Sequence, residues 1–119
     1  MEAHLLESRL AFGNLLHTWQ RRNGWSQDSA ARIARAAGFD GFDVHNSQWC
    51  ALCKGNLLPK PKLFAALALL NELVADPTWA AAPGTNPRAR QDLASATALL
   101  RDDGSPWGPA DFFAAFVGS

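Results

Sequence analysis

Val44-His45-Asn46-Ser47-Gln48-Trp49-Cys50-Ala51-Leu52-Cys53-Lys54-Gly55, with Pro59 four residues further on, is the stretch on which the reading of this chain turns. Asn46 and Ser47 are residue types that satisfy the free N–H groups at a helix start, and Gly55 suits the left-handed conformation that ends one. Trp49 and Leu52 recur at helical spacing, so the stretch predicts a short helix over 47–54, capped by Ser47 or Asn46, with Trp49, Leu52 and Cys53 turned inward. Upstream, Trp25-Ser26-Gln27-Asp28-Ser29-Ala30-Ala31 carries a second start signal, in which Ser26 caps a helix and Gln27 and Asp28 occupy its first turn. That helix runs through Ala30, Ile33, Ala34 and Ala37 to Gly38, with Arg32 and Arg35 on its polar side.

Outward from these two helices the pattern stays helical. Leu5, Leu6, Leu10, Leu15, Leu16 and Trp19, with Phe12, predict a first helix over 4–22, stopped by Asn23-Gly24. Phe39-Asp40-Gly41-Phe42-Asp43 is too turn-rich for a helix, and its two Phe are expected to anchor a compact loop. After Pro59 and Pro61 a further helix presents Leu63, Phe64, Leu67, Leu70, Leu73 and Val74 and stops at Asp76-Pro77. Residues 80–85 read as a loop. Asn86-Pro87 opens a fifth helix, expected to reach about residue 101, and after a turn cluster a Phe-rich helix covers 109–117. No strand alternation is visible, so the expected class is all-α, a compact bundle of five to six helices. The two central helices belong to a part spanning 1–78, and 79–119 forms a helical extension that packs on it or makes a dimer surface.

The chain has 119 residues, 48% of them hydrophobic, and 11 basic against 11 acidic side chains. A strong phosphate binder usually carries a positive excess, and this chain has none overall. The distribution is uneven, however: between His17 and Lys62 seven basic residues face three acidic ones, a local surplus of +4 that coincides with the two central helices. Asn71 and Glu72 interrupt the richest apolar run, which falls short of the roughly 18–20 residues of a membrane span. Glu2 and Glu7 near the amino end are unlike a signal peptide, and a cytoplasmic location without membrane association is expected.

The two segments resemble the Cro/C1-type (XRE-like) helix-turn-helix family. Trp25-Ser26-Gln27-Asp28 stands at the family's first helix opening, and Val44, Trp49, Leu52, Gly55 and Pro59 match the spacing of its recognition helix. The likeness covers residues 10–75. The link between the helices is longer than the family's tight turn, with extra residues around 35–43. The resemblance implies double-stranded DNA as partner and a homodimer as the binding form. It further implies that Gln27 contacts a phosphate beside a helix amino end, that Asn46, Ser47, Gln48 and Ala51 face base edges, and that Lys54, Lys60 and Lys62 reach the backbone.

Other chemistries are weaker. Cys50-Ala51-Leu52-Cys53 is a single CxxC inside an apparent helix, and His17 and His45 do not complete a zinc spacing around it. A nucleophilic set of either Cys with His17 or His45 and with Asp40 or Asp43 lacks anything in the sequence that brings its members together. No catalytic residue, metal ligand or cofactor is therefore assigned, and the chain reads as a non-enzyme. Two functions remain: a sequence-specific transcriptional regulator that places its third helix in the major groove, or a protein-interaction module that uses the 39–43 loop and the aromatic carboxyl segment around Trp79, Trp107, Phe112, Phe113 and Phe116.

Overall fold

The first helix, α1 (Glu2–Asn23), is the element on which the others assemble. The computed structural model describes residues 2–38 and 44–118. After α1 follow α2 (Ser29–Ala36), α3 (Asn46–Cys53), α4 (Pro61–Ala75), a 3-10 turn (Pro77–Ala81), α5 (Pro87–Ala94) and α6 (Pro109–Val117). The class is all-α, with six α-helices among the described residues and only an isolated bridge between Leu100 and Pro106 outside them. α3 and α6 lie on α1, α4 closes over α6, and α2 packs against α4 and α5.

Phe12, Leu16 and Trp19 follow one another along one stripe of α1 and are all buried. Against them lie Ile33 of α2, Trp49 and Leu52 of α3, Phe64, Leu67 and Leu70 of α4, and Phe112 and Phe116 of α6. The aromatic rings meet edge to face: Phe12 with Phe64 and with Phe116, each at 5.8 Å, and Trp19 with Trp25 at 5.1 Å. Segment 79–118 therefore contributes to the same core as the rest, with Phe112 and Phe116 buried, Trp79 and Trp107 half-buried, and Phe113 half-exposed.

Several expectations are corrected. Leu5, Leu6 and Leu10 share the first helix but are exposed: Leu6 and Leu10 lie off the stripe of Phe12, on which Ser8 is buried one turn earlier, and Leu5 lies on that stripe but near the helix start. α2 starts at Ser29 rather than beside Ser26: the Ser29 hydroxyl accepts from Ser26 N at 3.0 Å, so that Gln27 and Asp28 form a turn ahead of the helix. Residues 77–81 are a 3-10 turn that takes in 80 and 81 of the expected loop, tied by Asp76 Oδ1, which accepts from Thr78 N and Oγ1. α5 stops at Ala94, seven residues short of expectation. The buried Asn71 explains this, since its Oδ1 accepts from Leu99 N at 2.7 Å and its Nδ2 donates to Leu99 O at 2.8 Å. A residue whose N–H and C=O are both engaged by a side chain is unavailable to a helix. Asn23 Oδ1 accepts from Thr97 N and Trp19 Nε1 donates to Thr97 O, tying the segment after α5 to the end of α1. The loop 39–43, with Phe39, Asp40, Phe42 and Asp43, lies outside the described residues.

α6 is fastened at its amino end by Asp111, whose Oδ2 accepts from Arg101 Nε and from Gly108 N, both at 2.8 Å. The Arg101 hydrogen bond, followed by that of the Gly108 amide, holds the Asp111 carboxyl below the usual carboxylate range. A carboxylate with a lowered folded value stabilises above the ordinary value and loses that contribution as pH falls through the folded one. Acid melts should therefore show wild type losing stability relative to Asp111→Asn below about pH 4. Parallel acid profiles for the two proteins would exclude Asp111 as the source.

Candidate nucleic-acid interface

α3 is held by one face and free on the other. Trp49 and Leu52 are 1% and 2% exposed, whereas Asn46, Ser47 and Gln48 in its first turn all face solvent and Ala51, one turn on, is half-buried. His45, rather than Asn46 or Ser47, is the capping residue, which places the latter two inside the helix. Gln48 Oε1 accepts from His45 N at 3.0 Å, so that one end of its carboxamide is engaged and the amide –NH₂ points outward as a donor.

α3 runs antiparallel to α1. Its carboxyl half crosses at Gly13, where a β-carbon would lie 2.4 Å from Leu52 O and 2.7 Å from Cys53 O. Gly55, at φ +74°, passes Leu10 so closely that a side chain would meet Leu10 Cδ2 at 2.8 Å. The amino half lies instead at the far end of α1, where Trp49 Nε1 donates to Gln20 Oε1 at 2.6 Å. The other end of the same carboxamide, Gln20 Nε2, donates to Trp25 O at 3.2 Å. A single side chain therefore ties Trp25, at the entrance to α2, to Trp49 of α3, and Gln27, two residues beyond Trp25, is exposed.

The cations divide between two places. Arg21 and Arg22 are exposed in the last turn of α1, directly after Gln20. Lys54 is exposed at the carboxyl end of α3, and Lys60 and Lys62, at the start of α4, lie beyond Gly55 and away from the Asn46–Gln48 turn. Arg32 is withdrawn from any external role by Asp92, whose Oδ2 accepts from Arg32 Nη1 at 2.6 Å while Oδ1 accepts from Ser29 Oγ. That cluster joins α2 to α5. Gln20 and Asp92 were not singled out in the sequence, and Asn23 and Asn71 were read only as a helix stop and as an interruption of an apolar run; the visible signal of Gln20, Asn23 and Asn71 is a polar residue beside or within an apolar helical stripe.

Cys50 and Cys53 are both free and half-buried. Burial, with a smaller contribution from Cys50, pushes the Cys53 thiol up to about 11, the direction opposite to that of a reactive thiolate. Among the described residues no three His, Cys, Asp or Glu side chains converge as metal ligands would, and no helix is long and apolar enough to cross a membrane.

A family model described as Domain of unknown function (DUF8644) matches residues 2–118. Neither a curated protein nor a solved structure matches the chain.

Proposed function

The chain belongs to this family, whose description assigns no activity, and we propose from its own residues that it is a DNA-binding transcriptional regulator of the helix-turn-helix type, non-enzymatic and cytoplasmic. The observation that carries the proposal is the bridge made by Gln20. It joins Trp25, just before α2, to Trp49 of α3, and so links the two stretches that resemble the Cro/C1-type family through the last turn of α1.

In this function α3 enters the major groove by its amino turn. Asn46 and Ser47 offer paired donors and acceptors to base edges, Gln48 offers its free –NH₂, and the small Ala51 allows close approach to a thymine methyl. Gln27, Arg21 and Lys54 reach phosphates on either side. Gln48 also stabilises the helix that presents it, so the informative variant is Asn46→Ala with Ser47→Ala, in which the cap made by Gln48 survives. This double variant should keep its fold and its salt-dependent affinity for random duplex while losing sequence preference, about 1–3 kcal/mol per base pair no longer read. Undiminished preference in competition binding would remove α3 from the reading role.

A second reading, a protein-interaction module, is favoured by the zero net charge of the chain and by Phe113, which stands 52% exposed on α6. It predicts no retention on duplex DNA even at low salt.

A further inference from the structure

Two thiols share the last turn of α3. Cys50 and Cys53 stand three residues apart on it, both free and half-buried, and positions so spaced on a helix are neighbours, with their β-carbons ~5–6 Å apart. The turn that carries them is regular: Lys54 N donates to Cys50 O at 3.1 Å and Asn56 N to Ala51 O at 2.9 Å. It is also pinned from behind, since the backbone of α1 at Gly13 leaves no room for even a β-carbon against Leu52 O and Cys53 O. Cys53 packs against the core, and its Sγ lies 3.9 Å from Gln20 Oε1, so the pair borders the seam between α3 and α1.

Distances decide between the two things that such a pair can do. A disulfide requires β-carbons ~3.5–4.5 Å apart, so closing one here means tightening the turn by about 1 Å, against a backbone held in place at Gly13. An ion held in line between two sulfurs sets a wider span. With thiolate–metal bonds of roughly 2.3 Å the sulfurs stand about 4.5 Å apart, a separation that side chains on β-carbons ~5–6 Å apart reach by rotation about χ1. Zinc fits poorly, because it takes at least three protein ligands, and among the described residues no third His, Cys, Asp or Glu joins the pair. Binding by two sulfurs alone suits a soft monovalent cation such as copper(I).

We propose that Cys50 and Cys53 form an intrachain two-thiolate site for copper(I) on the last turn of α3. On binding, two S–H bonds break and two Cu–S bonds form, two protons pass to solvent, and the metal stays in its +1 state, so that neither an oxidant nor a reductant takes part. The bound unit carries one net negative charge, next to the exposed Lys54. Cys50 lies one turn beyond Asn46 on the same face of α3, and Cys53 borders the carboxamide that holds Trp49 and Trp25, so the ion would sit beside both the exposed turn and its tie to α2. The site does not require that α3 read DNA.

The test is titration of the reduced full chain with copper(I) without oxygen, against a chromophoric copper(I) chelator that sets the free ion. One ion per chain is expected, with both thiols protected from alkylation and two protons released. Cys50→Ser and Cys53→Ser should each lower the affinity by at least the ~100-fold that loss of even an outer partner of a metal site can cost, with helicity unchanged. Cys50→Ser keeps the test decisive if Cys53→Ser, which packs on the core, fails to fold. Affinity that survives Cys50→Ser, an ion that bridges two chains in sedimentation, or a pair that closes to a disulfide in a glutathione buffer before it takes the metal would each overturn the proposal. Duplex retention of the metal-free protein separates the two claims: a chain that takes copper(I) and ignores DNA keeps the site and sinks the regulator, and one that reads DNA without taking copper(I) does the reverse.

Discussion

Trp49→Ala is expected to destabilise the fold by about 3–5 kcal/mol, a large part of the stability of a domain of this size. Trp49 is 1% exposed in the core between α3 and α1. Removing the indole leaves a cavity between two helices whose backbones are already close at Gly13, and little room remains for α3 to settle inward. It also removes the donor that Gln20 Oε1 accepts at 2.6 Å, leaving that half-buried oxygen with only the long contact to Cys53 Sγ at 3.9 Å. The loss reaches the second helix, because Gln20 is the side chain that holds Trp25 O as well. Urea unfolding of the variant should show this loss, and Trp49→Phe, which keeps much of the ring but not the N–H, should fall between the two. A Trp49→Ala protein within about 1 kcal/mol of wild type would mean that α3 is anchored by something other than Trp49.

Gly13→Ala should also destabilise, although the same substitution in an ordinary helix interior gains roughly 1 kcal/mol. The sign reverses because the added methyl would stand 2.4 Å from Leu52 O and 2.7 Å from Cys53 O, both backbone atoms that no rotamer change can move. α3 has to lift from α1, and the lost packing around Leu52, 2% exposed, outweighs the gain in helix propensity. A net loss of about 1–3 kcal/mol is expected, with amide chemical-shift changes concentrated in Leu52, Cys53 and Gly55. The displacement also moves the α3 amino turn relative to Gln20, so sequence preference for DNA should weaken even where the protein remains folded. A stabilised Gly13→Ala protein with an unshifted α3 would contradict the close crossing.

Local signals in the chain carried much of this architecture. Asn86-Pro87 marks the start of α5, the prolines before Leu63 mark the start of α4, and 109–117 is α6 as the Phe spacing predicts, since these boundaries depend on residues adjacent to them. Boundaries set across the fold were not legible. α5 ends early because Asn71, 28 residues before Leu99, takes both backbone groups of that residue. The start of α2 depends on which of Ser26 and Ser29 gives its hydroxyl to the other's amide, a choice that the Ser29 hydrogen bond to Asp92 decides from 63 residues away. Read as one apolar helix, α1 did not separate Phe12, Leu16 and Trp19 from Leu5, Leu6 and Leu10; helical periodicity sets Leu6 and Leu10 on other sides, whereas the exposure of Leu5, which shares the Phe12 stripe, depends on where the partner helices end. For the candidate interface, Asn46, Ser47 and Gln48 were visible as polar residues at a helix start, whereas the role of Gln20 as the tie between the two segments follows only from the antiparallel course of α3 on α1.

The central claim is that the exposed amino turn of α3 reads duplex DNA. Its most direct test is retention of the purified protein on random and genomic duplex fragments at two salt concentrations, with sequencing of what is retained. An enriched site whose affinity falls steeply as salt rises is the predicted result, since phosphate contacts release bound counterions; no retention even at the lower salt would contradict it.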